Sequence, residues 1–328
     1  MIMVGCDVSK ATLDAAWFDE ARQRWEQHAP FANNGRGFRA LRTWLKKSTG
    51  QDRRSLMLVI EATGVYHLPL AQWAYRQGLR VIVTNPGRAA ENARSHNRLH
   101  KSDSLDARGL ARYGRELDSP REYVPDAPEI SRLKALLSRL RQLDSDLQRE
   151  RNRLEKCPFL PDSAPLAASL RRGIKQRQRE QKRIQGAIEA LILGHPELSH
   201  LHRLLCSIRG VGKITSQWLL PLLYRRQFAS ARQLAAFLGL TPIRRSSGTS
   251  LRQRGRLSGL GNPYLRSRLY LPAVTAITYN PDLKAFHDRL IHRGKTPKQA
   301  LTAVMRKLVH IAYGVVKNDE PYRCPTPA

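Results

Sequence analysis

Residues 2–18, IMVGCDVSKATLDAAWF, indicate the fold of the N-terminal part of the chain. The first seven residues form a mostly apolar run, and after a short polar turn the pattern alternates. A continuous apolar run is typical of a buried strand, and alternation is typical of a strand with one solvent-facing side. The stretch therefore predicts two adjacent strands of one sheet.

The residues that follow extend this sheet and add helices to it. A third strand is predicted near 24–32, LMLVIEATG reads as a buried strand, and YHLPLAQWAYRQG and RVIVTNP read as a helix and a strand. The segment GFRALRTWLKK predicts a helix whose apolar face is formed by Phe38, Leu41, Trp44 and Leu45. This order predicts a mixed α/β sheet with helices on its faces.

A helical hairpin is predicted next. Pro120, Pro125 and Pro128 mark a linker, and CPFLPDSAP breaks the long helix that follows, so that a second, basic helix at about 167–193 can return antiparallel. The first helix carries the leucine repeat of a coiled-coil seam, formed by Leu133, Leu140, Leu147 and Leu154 with Leu136 and Leu143 between them. The pair can pack on itself or on a second subunit.

Helices separated by glycine turns are predicted from residue 200 onward. LCSIRGVGKITSQWLL has two helical halves joined at Gly210 and Gly212, which is typical of a helix-hairpin-helix whose turn amides and Lys213 contact a DNA phosphate. An ordinary helix-helix corner fits equally well. The segment KQALTAVMRKLVHIAYGVV predicts an amphipathic, structural helix with a core face formed by Leu301, Val304, Leu308, Ala312 and Val315.

The charge of the chain indicates a polyanionic partner. Lys and Arg number 57 against 27 Asp and Glu, a net charge of +30, and most of the excess lies after residue 120. No acidic residue occurs between Glu197 and Asp282, and this stretch contains the segment RRSSGTSLRQRGR, residues 244–256. A surface so depleted of carboxylates predicts contact with nucleic-acid phosphates, with salt-dependent affinity.

Cysteine spacing and hydropathy exclude several other classes. Cys6, Cys157, Cys206 and Cys324 are far apart and form no C-x-x-C pair, so neither a disulfide framework nor a zinc site is expected. The sequence contains no apolar run of about 18 residues and no secretory signal. These features predict a cytoplasmic protein without a membrane partner.

Four carboxylates lie where an ionised side chain is costly or where several can meet. Asp7 and Glu61 end apolar strands, and Asp103 and Asp106 stand three residues apart at the start of a helix. Two strand ends and one helix face can bring them to one place, and clustered carboxylates suit Mg²⁺, with Mn²⁺ as an alternative. The sequence therefore predicts a metal site of the kind used in phosphoryl transfer.

Three of these carboxylates also have structural explanations. Asp103 can favour the positive end of a helix, Asp106 can pair with Arg108 or Arg112, and Glu61 can cap a turn. Asp7, in the middle of a predicted sheet, has the fewest structural explanations.

The chain resembles the DEDD family of insertion-sequence transposases, whose N-terminal domain is similar to the RuvC Holliday-junction resolvase. The matching stretches are GCDVSKATLD, IEATGVY, VTNPGRAAENARSHNRLHKSDSLDAR, GVGKITS, AAFLGLTPIRRSSGTSLRQRGRLSGLGN and AVMRKLVHIAYGVVKN. The resemblance implies an RNase H-like catalytic domain over 1–122, a coiled-coil hairpin over 123–195, and a mainly α-helical transposase domain with a helix-hairpin-helix over 196–328.

The resemblance also implies site residues and partners. Asp7, Glu61, Asp103 and Asp106 would be the DEDD carboxylates, and Ser247 the nucleophilic serine, with Ser246 beside it as the alternative. It implies donor and target double-stranded DNA, a structured noncoding guide RNA encoded by the element, and a homodimer or homotetramer. The predicted nucleic-acid contacts are Arg209, Lys213, Arg244, Arg245, Arg252, Arg254 and Arg256.

Together, the segment 244–256, which is rich in hydroxyl and arginine side chains, and the four carboxylates predict a mechanism. No histidine lies between His202 and His287 and no acid lies near Ser247, so its hydroxyl has no local base in the sequence. Activation would come from the carboxylate-bound metal, with arginines holding the charge on the phosphate. A metal-dependent nuclease that uses water and a non-enzymatic nucleic-acid-binding protein are the alternatives.

Overall fold

The computed structural model describes residues 1–28, 30–62, 64–95, 103–118, 120–226, 228–243, 246–247, 251–252, 256–257 and 261–323. Within them, the side chains of 93–95, 103–105, 226, 243, 246–247, 251–252 and 256 are outside the description. The chain forms two compact units, Met1–Asp126 and Ala127–Ala328.

The N-terminal unit is built on a mixed sheet. Its strands are β1 (Ile2–Val8), β2 (Thr12–Asp19), β3 (Arg24–Gln27), β4 (Phe31–Ala32), β5 (Leu56–Glu61) and β6 (Arg80–Thr84). The order is β3-β2-β1-β5-β6, with β4 also paired to β2. β2 is antiparallel to both β1 and β3, whereas β5 and β6 run parallel to β1. This topology confirms the predicted mixed α/β sheet and is compatible with an RNase H-like domain.

Helices cover both faces of this sheet. They are α1 (Gly35–Thr49), α2 (Leu68–Arg76), α3 (Pro86–Ser95) and α4 (Asp103–Arg115). One face packs on α1 and α2, and the predicted side chains Phe38, Leu41 and Leu45 are buried there, with Trp44 half-buried beside them. The other face, with Met57 and Val59, packs against Leu110 of α4. Alternation along each strand thus divides the residues between two cores.

The predicted strands are present, with one difference. Where a single third strand was expected near 24–32, the structure has β3 and the two-residue β4. Both pair with β2, at opposite ends of it, so the edge of the sheet is shared between two short segments.

The second unit begins with two long helices, α5 (Pro128–Lys156) and α6 (Ala164–Leu193). They run antiparallel, because Glu150 contacts Arg177 and Asp144 contacts Gln181 as the numbering ascends on one helix and descends on the other. The buried seam of α5 consists of Ile130, Leu133, Leu137, Leu140, Leu143 and Leu147. Leu137 is buried where the prediction had Leu136, and Leu154 is only half-buried.

Among the described residues, the rest of the second unit is helical apart from two short strand pairs. The helices are α7 (Pro196–Cys206), α8 (Lys213–Leu223), α9 (Ala231–Phe237), α10 (Pro263–Ser267), α11 (Tyr270–Tyr279), α12 (Pro281–His292) and α13 (Pro297–Asn318), and the strands are β7 (Pro242–Ile243), β8 (Ser246–Ser247), β9 (Leu251–Arg252) and β10 (Arg256–Leu257). The predicted core face of α13 is buried. The seam of α5 shares one hydrophobic core with α7 to α9 and α13. In the described part of the chain, no helix is both long and apolar enough to span a bilayer.

Candidate active site and nucleic-acid interface

Two of the predicted carboxylates lie at one edge of the sheet. Cys6 of β1 pairs with Ile60 of β5, so the next residues along these parallel strands, Asp7 and Glu61, stand side by side. Both are half-buried, and alternation places them on the sheet face opposite to Cys6 and Ile60. That is the face that α4 covers.

Close backbone contact fixes α4 on this face. A Cβ atom at Gly5 would lie 1.9 Å from the carbonyl oxygen of Ala107 and 2.5 Å from the amide nitrogen of Ala111. At the C-terminal end of α4, a Cβ atom at Gly114 would lie 2.5 Å from Val59 Cγ2 and 3.5 Å from Met3 Sδ. Helix α4 therefore runs antiparallel to β1, with small residues at the interface.

This packing directs the N-terminal end of α4 toward the edge that holds Asp7 and Glu61. Asp103 begins α4, and Asp106 follows one turn later with a half-buried side chain. The side chain of Asp103 lies outside the described residues. The backbone thus carries all four predicted carboxylates to one end of one sheet face.

Further polar groups occupy the same edge. Asp14 of β2 pairs directly with Asp7, and such cross-strand partners point to the same face. Thr84 pairs with Glu61, is buried, and its hydroxyl has no hydrogen-bond partner among the described residues. Buried hydroxyls are normally satisfied, so Thr84 indicates room at this edge for a further polar group.

The donor chemistry of this edge suits a hard cation. Its groups are carboxylate and hydroxyl oxygens, which Mg²⁺ prefers. Within the described part of the chain, no three Asp, Glu, His or Cys side chains are grouped closely enough to hold a metal ion. The neighbouring Cys6 is no candidate ligand or nucleophile, because burial and then the Asp7 carboxylate raise its pKa to about 12.

The predicted serine segment forms two nested strand pairs. Pro242 and Ile243 pair with Leu257 and Arg256, and Ser246 and Ser247 pair with Arg252 and Leu251, all antiparallel. Ser247 is therefore on the innermost pair, four residues before Leu251. Its side chain, like those of Ser246, Arg252 and Arg256, is outside the description. Arg244, Arg245 and Arg254 lie wholly outside the described residues.

The two ends of this segment are held together by the close packing of two buried glycines. Gly239, with φ +70°, follows α9 and touches Gly261, where a Cβ atom would lie 2.2 Å from the Gly239 amide nitrogen. Arg266 of α10 donates to the Leu238 carbonyl at 3.4 Å. The residues on either side of the segment that carries Ser247 are thus in direct contact.

Hydrogen bonds and an ion pair around Asp144 connect α10 to the hairpin of α5 and α6. Arg268, which ends α10, contacts the Asp144 carboxylate of α5 and the Tyr264 hydroxyl, the latter at 2.6 Å. Asp144 also accepts from Gln181 at 2.6 Å. Trp218 packs edge-on against Tyr264, with ring centroids 4.8 Å apart. α5 and α6 therefore position the helix that follows the serine segment.

The α7–α8 corner carries the other two predicted nucleic-acid contacts. Lys213, at the start of α8, is exposed, whereas the Arg209 guanidinium donates to the Tyr279 carbonyl at 3.2 Å. Gly210, with φ +100°, is packed against α11, since a Cβ atom there would lie 2.7 Å from the Pro272 carbonyl oxygen. The first glycine of the turn is thus required for helix packing.

The two helices of this corner are joined by a partly buried hydrogen bond. His202 Nδ1 lies 2.7 Å from Ser216 Oγ, and Ser216 is fully buried. Burial, and then the positive charge of Lys213, lower the pKa of His202. The imidazole is therefore neutral near pH 7 and serves to hold the corner closed.

Comparison with known proteins identifies the family. Residues 4–158 match a transposase family model of the IS110 DEDD type, and residues 202–288 match the model described as Transposase IS116/IS110/IS902 family. The pilin gene-inverting protein of Moraxella bovis is 33% identical over 321 residues, covering 97% of each chain. The chain belongs to the IS110 transposase family.

Other relatives agree with this assignment. The pilin gene-inverting protein of Moraxella lacunata is also 33% identical over 97% of each chain. An insertion element IS110 protein of Streptomyces coelicolor is 32% identical over 45% of this chain and 36% of its own. The predicted insertion-sequence transposase, a DNA recombinase of DEDD type, is thereby confirmed, and DNA is its substrate.

The sequence analysis did not predict the positions of Asp14 and Thr84 or the contacts of Asp144 with Arg268 and Gln181. Asp14 could have been found from the short turn between the first two strands, which sets it opposite Asp7. Asp144 follows Leu140 by four residues and precedes Leu147 by three, so it interrupts the heptad seam at a core position. Thr84 carries no sequence signal, because its importance arises from pairing with Glu61 across the sheet.

Proposed function

We propose that this IS110 transposase cuts and rejoins DNA strands through a phosphoserine intermediate formed by Ser247. The observation that carries the proposal is the placement of Ser247 on the innermost strand pair of an acid-free, arginine-rich segment whose ends are fixed to the helical unit. The full-length similarity to pilin gene-inverting proteins supports strand exchange, including inversion, as the outcome.

In the proposed step, Ser247 Oγ attacks the scissile phosphorus and its hydroxyl proton passes to solvent water. The bond from phosphorus to the leaving DNA oxygen breaks, and that oxygen takes up a proton. The phosphoserine ester keeps the energy of the phosphodiester, so a second DNA hydroxyl can attack it and regenerate serine without ATP. Arg244, Arg245, Arg252, Arg254 and Arg256 would stabilise the charge on the phosphate oxygens.

Asp7, Glu61, Asp103 and Asp106 would hold Mg²⁺ in this proposal, with Mn²⁺ as a substitute. The bound cation would lower the pKa of a coordinated oxygen and neutralise charge on the scissile phosphate. The side-by-side placement of Asp7 and Glu61 and the direction of α4 support this assignment. Ser247 needs such help, because the sequence offers it no base nearby.

The remaining parts of the proposal concern organisation and partners. We assign the carboxylate site to a DEDD catalytic domain over 1–122 and a coiled-coil hairpin to 123–195. We assign the catalytic serine segment, and a helix-hairpin-helix that contacts phosphates through Arg209 and Lys213, to a transposase domain over 196–328. Donor and target duplexes, a structured guide RNA and a dimer or tetramer complete the assembly. The basic charge of the chain supports binding of more than one nucleic acid.

The experiment compares Ser247→Ala with Ser246→Ala and Thr249→Ala in the full-length protein. Each variant is incubated with Mg²⁺, its copurified RNA and supercoiled DNA that carries the element ends, and DNA-linked protein is detected by denaturing electrophoresis. We expect Ser247→Ala to lose the adduct while DNA affinity stays within about twofold, and the other two variants to keep it.

Two results would contradict the proposal. An undiminished adduct in Ser247→Ala, with loss in Ser246→Ala, would move the nucleophile by one residue. Mg²⁺-dependent strand breakage without any adduct in the unsubstituted protein would instead support water as the nucleophile.

A further inference from the structure

The exposed face of α6 carries a row of cations without counter-charges. Between residues 171 and 183 the helix has seven basic residues and a single acid, Glu180. Five of the seven are exposed and make no ion pair or side-chain hydrogen bond with any residue that the structure describes. They are Arg171, Arg172, Lys175, Arg179 and Lys182.

The carboxylates near this row are already engaged. Glu180 binds Arg183 through two contacts of 2.9 and 3.0 Å, and Glu150 of α5 contacts Arg153 at 3.2 Å and Arg177 at 3.4 Å. The row therefore keeps its full charge. Its members repeat at intervals of three and four residues, and like charges at this spacing destabilise a helix.

The row points away from the helix pair. Ile184, Ile188 and Ile192 of α6 are buried against the core, and at 3.6 residues per turn the five cations fall on the opposite side. From Arg171 to Lys182 the row extends for about 17 Å along the axis. A duplex carries about one charge per 1.7 Å when both strands are counted, so a length of about 17 Å carries about ten phosphate charges, more than the five cations of the row.

We propose that this row, here called the α6 ridge and defined as Arg171, Arg172, Lys175, Arg179 and Lys182, binds the backbone of duplex DNA outside the serine segment. The helix 164–193 contains no aromatic residue, whereas single-stranded nucleic acid is typically bound by aromatic stacking. The ridge thus suits phosphates of a double helix. It does not depend on the serine chemistry proposed above.

The chemistry of the ridge disfavours two other occupants. A second copy of the chain carries a net charge of +30 and would present the same cations. A membrane-surface helix needs an exposed apolar face, but the apolar face of α6 packs against the core of its own unit.

The test measures binding of a 30-base-pair duplex of unrelated sequence between about 50 and 200 mM salt. The protein is full-length and carries Ser247→Ala, so that covalent chemistry cannot contribute. The ridge variant is Arg171→Gln, Lys175→Gln and Arg179→Gln. The control replaces three ion-paired cations of the N-terminal unit by Gln, and they are Arg24, Arg80 and Arg115.

Loss of three phosphate contacts reduces the slope of log K against log salt by about 2.7. The affinity advantage of the parent over the ridge variant should accordingly shrink about 40-fold over that salt range. The control removes the same charge, and we expect its slope to match the parent. The ridge variant should also melt no lower than the parent, because it relieves repulsion within α6.

Equal slopes for the ridge variant and the control would overturn the proposal, because net charge alone would then explain the binding. A parallel titration uses an RNA duplex of the same length. Loss of affinity for RNA with an unchanged DNA slope would also overturn it.

Discussion

The contact between Gly5 and α4 allows the positioning of the carboxylates to be tested. In Gly5→Ala, the new Cβ would lie 1.9 Å from the Ala107 carbonyl oxygen, whereas ordinary contacts begin at 3.4 Å. Both groups belong to regular backbone, so relief requires α4 and β1 to separate by about 1.5 Å. Overpacking of this kind costs about 1–3 kcal/mol of unfolding free energy.

The same shift would disturb the proposed site. It would move Asp103 and Asp106 away from Asp7, and a displacement of about 1 Å in a catalytic group can cost about 100-fold in rate. We expect Mg²⁺-dependent adduct formation by Gly5→Ala to fall at least tenfold at saturating DNA. Urea unfolding followed by circular dichroism gives the stability, and single-turnover adduct formation gives the rate.

Two control variants distinguish the effect of displaced carboxylates from the effect of a lower unfolding free energy. Gly114→Ala meets the Val59 side chain at the far end of α4, so it should cost stability and leave adduct formation within about threefold. Gly186→Ala lies in the middle of α6 with no neighbour within 4 Å and should stabilise the protein by about 0.5–1 kcal/mol. If Gly114→Ala lost as much activity as Gly5→Ala at equal stability, the positional explanation would be refuted.

Three further predictions concern single side chains. Thr84→Val removes a buried hydroxyl that has no partner among the described residues, so it should raise the free energy of unfolding by about 1–2 kcal/mol. A lower urea midpoint would contradict this. The proposed role of the carboxylate edge also predicts that the variant needs a higher Mg²⁺ concentration for half-maximal cleavage. Asp144→Ala leaves Arg268 without its carboxylate partner and should lower the free energy of unfolding by about 1–3 kcal/mol. Asp144→Leu should lower it less, because an apolar side chain would complete the seam of α5. Equal urea midpoints for the two variants would contradict this. The pKa of His202 is lowered from 6.5, so the folded protein binds a proton there less readily than the unfolded chain. The contribution of the neutral imidazole to stability is therefore present above pH 6.5 and is lost as the pH falls below 6.5. In His202→Gln, the urea midpoint should fall less steeply between about pH 6.5 and 5 than in the unsubstituted protein.

The sequence predicted elements well where hydrophobic patterning specified them. Strands β1, β2, β5 and β6 and helices α1, α5 and α13 follow from apolar runs or helical periodicity, because each buries one continuous face. It could not predict strand register, which depends on pairing across the sheet. Register is what sets Glu61 beside Thr84 and Asp7 opposite Asp14.

Glycine shows how one residue type can have two explanations in sequence. The G-V-G turn predicted phosphate contact by its amides, yet Gly210 is required because α11 packs within contact distance of it. Gly212, two residues later, has open space around it and remains compatible with the predicted role. Gly5 was read only as part of an apolar strand, because its contact with α4 is formed by residues more than 100 positions away.

The distribution of acids between the two units has a physical reason in the proposed chemistry. A carboxylate near Ser247 would pair with the arginines and repel the scissile phosphate, so the stretch between Glu197 and Asp282 is best left without acids. Metal binding, by contrast, needs several carboxylates close together, as proposed for the edge of the sheet where α4 is held against Gly5. A serine nucleophile and its metal ligands therefore have opposite electrostatic requirements. Supplying them from separate units, Met1–Asp126 and Ala127–Ala328, satisfies both requirements within one chain.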